Sequence, residues 1–307
     1  MAHVTQPPRT REDTGQITKA IEGLPTLPVV ALRIGEVIHS KNVSVTQIAE
    51  LLKTDPATSA KLLRLVNSPY FGIPGGVADV TRAIPFVGFN TLYQLVLGIG
   101  VLETLDVPGG ARSLWLHALT VATAARELAI ELRCPDDGAC FTAGLLHDMG
   151  KIALAKLAPE KLAAAAAMVA AEGITLQEAE RRLNIVPHDR VGARLAKQWR
   201  FPANLTTPIE QHHSVHLPGV RERLAPNLRT ITEIVNASDY IAHACAGKFG
   251  DTPNLSENDP DTIEMLERNG YSGARLDALC DRTLRQLERS KVFLSLLDGP
   301  ENMQKTA

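Results

Sequence analysis

Aromatic residues are scarce in this chain, where they make up 4% of 307 residues, although apolar residues together make up 45%. Alanine and leucine are plentiful, and both form helices well, whereas aromatic and β-branched residues favour strands. This composition argues against a sheet-based fold and predicts an all-α protein. The length suits one large domain or two modest ones.

An excess of charge of either sign is also absent, because 32 Lys and Arg residues face 34 Asp and Glu residues. No basic surface is expected, which argues against a nucleic-acid partner. The four cysteines (Cys134, Cys140, Cys245 and Cys280) form no CxxC pair. They predict neither a disulfide framework nor a cysteine zinc site, and are interpreted as small core residues in a reducing compartment.

A long unbroken apolar run is missing as well. The most apolar stretch, residues 84–102, contains Pro85, three glycines and Asn90, which is predicted to cap a second helix inside it. The stretch therefore predicts two packed helices rather than a membrane span. Residues 1–16 lack the apolar core of a signal peptide. We therefore expect a cytoplasmic protein with no membrane partner.

Helix-start signals recur along the chain. Ser44, Asp55, Asp79 and Thr175 each precede a helical pattern and are predicted N-caps. The clearest break is the Val-Pro-Gly-Gly segment at 107–110. We expect a disordered arm (1–16), an N-terminal helical subdomain (17–106), a helical core (111–247), C-terminal helices that pack on it or form a homodimer (248–298), and a tail (299–307).

The most informative motif is the adjacent pair His147-Asp148, which follows an apolar helix and precedes Gly150, the predicted end of that helix. An imidazole nitrogen beside a carboxylate oxygen suits Fe, Mn, Ni or Zn. Taken alone, the pair is more simply interpreted as a buried His-Asp hydrogen bond that finishes a helix.

Five further residues change the balance between these readings. His117 lies on a predicted buried stripe, and Asp239 lies on another, where a carboxylate is costly unless paired or bound to a cation. His188 opens a helix, where the dipole favours the neutral, metal-binding imidazole, although a surface position remains open. His212 and His213 end a helix and can both turn inward. A common site built from five helices or helix ends is therefore predicted.

The order His, His-Asp, His, His-His, Asp resembles the HD metal-dependent phosphohydrolase superfamily in its HD-GYP arrangement. The N-terminal half resembles the HDOD family of bacterial signalling proteins through residues 24–28, Asp55-Pro56, 61–68, 83–84 and 87–88. The resemblance covers roughly residues 20 to 245. It implies an HD-domain-like helical bundle with an N-terminal helical subdomain, and a role in signal transduction.

The resemblance also implies roles for individual residues. Asp148 would bridge two metal ions, and Lys151 would contact a substrate phosphate, although a solvated lysine remains open. Ser113 stands where three-metal members carry glutamate, so two ions are expected, with Fe or Mn favoured and Ni or Zn open. The Gly-Tyr-Pro motif is absent after His213, which argues against cyclic dinucleotides. The implied metal ligands are His117, His147, Asp148, His188, His212, His213 and Asp239.

Two functions remain open at this point. The first is a metal-dependent phosphohydrolase or phosphodiesterase, with Asp148 and Lys151 as catalytic residues and a nucleotide or other phosphorylated small molecule as substrate. The second is a non-catalytic signalling output module that binds a protein partner and whose metal site is structural or ligand-sensing. His243 and Asp189 are candidates to orient the ligand histidines through hydrogen bonds.

Overall fold

The computed structural model describes residues 19–38, 40, 42–105, 112–246, 264, 266–267 and 270–290. Over these residues the protein has fifteen helices and no strand, which confirms the all-α prediction. The predicted arm at 1–16, the break at 107–110 and the tail at 299–307 lie outside the described residues. The division into subdomains therefore stays a prediction.

Five helices precede the predicted break. Three of their predicted caps are confirmed, because Ser44, Asp55 and Asp79 each accept a hydrogen bond from a backbone N–H three residues later, at 3.0–3.1 Å. The helices are α1 (Val29–Val37), α2 (Val45–Lys53), α3 (Pro56–Val66), α4 (Val80–Val87) and α5 (Phe89–Thr104).

The predicted cap at Asn90 is wrong. Helix α5 begins at Phe89, and the residue before it is Gly88 at φ 79°, a conformation that L side chains rarely adopt. Gly88 turns the chain between α4 and α5, so the two apolar helices fold onto the same core. No described helix is long and apolar enough to cross a membrane by itself, and α4 with α5 meets the length and composition requirement only as a pair bent by 115°.

The next ten helices carry the predicted site. Helix α6 lies at the centre, where it packs against α7, α14 and α15. The helices are α6 (Arg112–Glu131), α7 (Asp137–Leu146), α8 (Met149–Leu157), α9 (Pro159–Glu172), α10 (Leu176–Arg182), α11 (His188–Gln198), α12 (Ala203–Gln211), α13 (Pro218–Arg221), α14 (Pro226–Ala246) and α15 (Gly273–Ser290).

Two glycines allow the close helix contacts that shape the site. A Cβ on Gly144 would lie 2.8 Å from the Cα of Ala122, so α6 and α7 touch through their backbones one turn before His147. The prediction that Gly150 ends a helix is wrong, because α7 already ends at Leu146 and Gly150 lies in the first turn of α8. A Cβ on Gly150 would collide with the carbonyl oxygen of His188. Gly150 therefore lets α8 and α11 approach.

The fourth predicted cap is also confirmed. Thr175 caps α10 by accepting from the Glu178 N–H at 3.1 Å. Helix α14 begins at Pro226. Helix α15 packs on α6 and α14.

Candidate metal centre

The structure brings all seven predicted ligands to one place. His117 comes from the middle of α6, and His147 and Asp148 form the junction between α7 and α8. His188 is the first residue of α11, the pair 212–213 follows α12, and Asp239 lies in α14. Five helices or helix ends therefore converge as the sequence predicts, although whether each residue binds a metal stays a prediction.

Asp148 lies between two groups of histidines. Its Oδ2 is 3.3 Å from Nε2 of His147 and 3.7 Å from Nε2 of His117. Its Oδ1 is 3.5 Å from Nε2 of His188 and 3.7 Å from Nε2 of His212. The two oxygens of one carboxylate thus face different imidazole pairs, which is the arrangement that a bridging ligand requires.

Asp239 is the second carboxylate of the centre, and three histidines lie close to one of its oxygens. Its Oδ1 lies 2.9 Å from Nε2 of His117, 3.6 Å from Nε2 of His147 and 3.4 Å from Nε2 of His243. His243, which the sequence suggested as an orienting residue, therefore does contact the centre. The carboxylate of Asp189 accepts a hydrogen bond from the backbone N–H of Arg190 at 2.7 Å, and among the described residues it makes no hydrogen bond or ion pair with a ligand histidine.

At the opposite end, Nε2 of His188 lies 2.9 Å from Nε2 of His213. Two imidazole nitrogens at this distance share one proton or flank one cation. The other ring nitrogen of His188 lies 3.0 Å from the carboxylate of Glu180, which is fully buried and also accepts the His188 backbone N–H at 3.2 Å. A carboxylate behind a histidine fixes its tautomer and raises its basicity as a ligand.

Backbone carbonyls orient two more of the histidines. Nδ1 of His147 donates to the carbonyl of Gly144 at 2.7 Å, and Nδ1 of His212 donates to the carbonyl of Pro208 at 3.0 Å. Asn236 donates to the carbonyl of His212 at 2.8 Å and so ties this position to α14. With Nδ1 as donor, each Nε2 points inward, where its lone pair is the metal-binding group.

The sequence reasoning missed Glu180 and Asn236. Glu180 follows Leu176 by four residues on the buried face of α10, so the argument applied to Asp239 would have identified it. Asn236 gave no comparable signal, since an amide on a helix face is compatible with many environments.

Several inward-facing polar atoms make no hydrogen bond of acceptable geometry, despite their burial. Burying such atoms is costly unless a cation or another partner satisfies them. Nitrogen and oxygen donors together suit divalent first-row metals, and three groups of these side chains have donor atoms within 4.8 Å of one another. The residues thus fit a metal site. The atoms are Nε2 of His117, His147 and His212, Oδ1 of Asp148, and Oδ1 of Asp239.

Lys151 also lies inside the centre. It is 2% exposed, and its Nζ is 2.8 Å from Oδ2 of Asp148. The alternative of a solvated surface lysine is therefore wrong. Its predicted contact with a substrate phosphate remains a prediction.

The electrostatics of the centre favour ionised carboxylates. Burial raises the pKa of Asp148, but the charges of His147 and Lys151 outweigh burial and hold that pKa well below its ordinary value. Burial lowers the pKa of His147, yet Asp148 and Asp239 raise it to about 10. Burial and the neighbouring His213 hold the pKa of His212 well below normal. The shift of the His147 pKa favours the protonated imidazole, whereas that of His212 favours the neutral imidazole, which is the form that binds a metal.

Comparisons with known proteins agree with this architecture. The HDOD domain family profile matches residues 24–215. An uncharacterized protein of Treponema pallidum (strain Nichols) is 28% identical over 228 residues, which are 73% of this chain and 44% of that protein. This chain therefore spans less than half the length of that curated relative.

Solved structures share the fold. An HDOD domain protein of unknown function from Geobacter sulfurreducens has a TM-score of 0.67 at 23% identity, over 92% of this chain and 97% of its own. A Shewanella amazonensis SB2B protein provisionally described as a phosphohydrolase has a TM-score of 0.68 at 23% identity, over 92% of this chain and 98% of its own. Another protein from that organism, provisionally described as a metal-dependent phosphohydrolase, has a TM-score of 0.55 at 18% identity, over 91% of this chain and 100% of its own.

Proposed function

Since the chain belongs to the HDOD domain family, we propose that it is a signalling protein whose HD-type centre binds two divalent first-row metal ions and hydrolyses a phosphoester. The observation that carries the proposal is Asp148, whose two oxygens face two separate pairs of histidines. A carboxylate that serves one metal, or a purely structural hydrogen bond, does not need both of its oxygens directed at different imidazole pairs.

The donors divide into two sets that share Asp148. The first set adds His117, His147 and Asp239. The second set adds residues 188, 212 and 213, whose donor atoms lie within 4.8 Å of one another and of Asp148. Each set offers four side chains of the N and O type that Fe, Mn, Ni and Zn accept.

When bound, a pair of such ions supplies Lewis-acid activation of water and of a phosphoester. The side chains prepare that chemistry. Glu180 keeps Nε2 of His188 directed into the centre, and the ammonium of Lys151 places a buried positive charge beside the bridging carboxylate. A positive charge held in a site that excludes water stabilises the negative charge that develops on a phosphoryl group.

Turnover of a phosphodiester tests the proposal. Anaerobically purified protein, loaded with Fe or Mn, is assayed against a generic nitrophenyl phosphodiester and a panel of nucleotides. We expect turnover that is lost in Asp148→Asn. The matched control is Asp79→Asn, because asparagine is also a good N-cap and Asp79, which caps α4, lies far from the centre in the sequence. Full occupancy by two ions without any turnover would contradict the hydrolase.

The burial of the centre favours a second candidate function, the non-catalytic output module. Asp148 is 1% exposed, His147, His188 and His212 are fully buried, and the His117 side chain is 13% exposed. So closed a site suits a structural or sensing metal ion, with a protein partner as the output. Signalling in cells that persists after His147→Ala removes the metal would also support the module.

A further inference from the structure

We propose that His243 is a direct ligand of the metal ion at the Asp239 end of the centre, in addition to the seven residues that the sequence predicts. This inference rests on the proposed two-metal centre and deepens it. His243 follows Asp239 by four residues in α14, and residues four apart lie on the same face of a helix. The helix therefore presents a carboxylate and an imidazole to the centre side by side.

The distances fit a shared ion. Nε2 of His243 lies 3.4 Å from Oδ1 of Asp239, and Nε2 of His117 lies 2.9 Å from the same oxygen. Donor atoms of the three residues all lie within 4.8 Å of one another. Donors bound to one ion at about 2.0–2.2 Å are themselves about 3.0–4.4 Å apart, so these three donors already have nearly the spacing of common ligands.

The same contacts argue against a simple hydrogen bond from histidine to Asp239. Its buried Oδ1 is surrounded by three imidazole nitrogens, which are more donors than the two lone pairs of one oxygen can accept. The rings of His117 and His243 lie 4.7 Å apart and are inclined by 34°. Imidazoles that crowd round one carboxylate oxygen in this way are placed as donors to a common cation.

With His243 added, the two ends of the centre differ in the number of side chains that can bind an ion. At the Asp239 end five side chains would hold an ion, whereas four would hold an ion at the other end. A nearly filled coordination shell leaves little room for a substrate, while a site with fewer protein ligands keeps a position open. The end formed by residues 188, 212 and 213 is therefore the one that accepts an exogenous ligand. The five donors are His117, His147, Asp148, Asp239 and His243.

A charge-transfer band tests direct ligation. Cobalt(II) is titrated into His243→Cys, and a thiolate bound to cobalt gives a sulfur-to-metal band in the near-ultraviolet. We expect this band to grow with cobalt and saturate at one thiolate per chain. The wild type is the matched control, because it carries Cys245 two residues later on a different face of the same helix. Its cobalt titration should show no such band.

Metal counting separates the inference from the proposed function. Wild type should bind two ions per chain, and His243→Ala should bind one of them at least tenfold more weakly, while His216→Ala, outside the donor sets, should bind both normally. Fewer than two ions in wild type would overturn the proposed centre. Two ions in wild type, with no charge-transfer band in folded, cobalt-loaded His243→Cys, would overturn the role of His243 alone.

A measurement on the wild type covers the case in which the variants do not fold. In a crystal structure of the cobalt-loaded protein, Nε2 of His243 should lie within about 2.3 Å of an ion. A separation beyond about 3 Å, with both ions present, would contradict direct ligation.

Discussion

The helices α1–α5 and the helices α6–α14 bury very different side chains. Among the described residues 19–105, the buried polar side chains are uncharged: Thr58, Ser68, Gln94 and Thr104. The helices after them bury Asp148, Lys151, Glu180 and Asp239 together with several histidines. Burial of ionisable groups opposes folding unless they are paired or bound to a cation. The first region therefore resembles an ordinary hydrophobic core, whereas the second keeps groups that only a function explains.

The largest effect is expected when Gly150, at the close contact between α8 and α11, is replaced. Gly150→Ala places a methyl group against the backbone carbonyl of His188, which cannot move without shifting α11. We expect a loss of about 3 kcal/mol or more in the free energy of unfolding, measured by urea denaturation, together with loss of metal binding.

The control for that variant is Gly219→Ala, because Gly219 meets only the end of the flexible Arg223 side chain. It should change stability by no more than about 0.5 kcal/mol. A stable Gly150→Ala protein with normal metal content would show that the close contact between α8 and α11 is not required.

A core substitution in the first region should separate stability from metal binding. Leu62 is fully buried in α3, so Leu62→Ala should cost about 2–5 kcal/mol by lost burial and the cavity left behind. The folded variant should still bind the same number of ions, measured by mass spectrometry. Val29→Ala, at a side chain 64% exposed, is the control and should be nearly neutral. Loss of metal from folded Leu62→Ala would break the distinction between the regions.

Much of this architecture could be predicted from sequence, since helix caps such as Ser44 and Asp55 act locally. The convergence of the seven candidate residues could also be predicted, because a buried stripe or a helix end restricts where a side chain points. Gly150 was misinterpreted, since its role depends on the distant carbonyl of His188. Contacts between helices of this kind leave no trace in local spacing, and Asn236 was missed for the same reason.

A smaller effect on metal affinity is expected at Glu180, which contacts His188 on the side of the ring away from the centre. Glu180→Gln removes the negative charge that supports His188 and should weaken metal binding 10- to 100-fold, with little change in helix content. Isothermal titration with Mn²⁺ measures the affinity. Glu178→Gln is the matched control in the same helix, since Glu178 pairs with Arg181 and Arg182 away from the centre. Equal affinities for the two variants would rule out an orienting role for Glu180.

The smallest effect is expected at the attachment of the C-terminal helix. Glu131 in α6 accepts from Arg275 at 2.7 Å and from Arg282 at 2.6 Å, and both arginines lie in α15. Exposed pairs of this kind contribute about 0.2–1 kcal/mol each. Glu131→Gln should therefore lower thermal stability slightly and leave metal content unchanged, and a loss of metal would show that α15 supports the centre.

The central claim is that one carboxylate joins two metal ions in the second region. The most direct test is the metal content of anaerobically purified wild type and Asp148→Asn, counted by native and elemental mass spectrometry. We predict two first-row ions per chain in the wild type and at most one in the variant. A wild type that takes up no ion at saturating metal, or an Asp148→Asn protein that retains both, would contradict it.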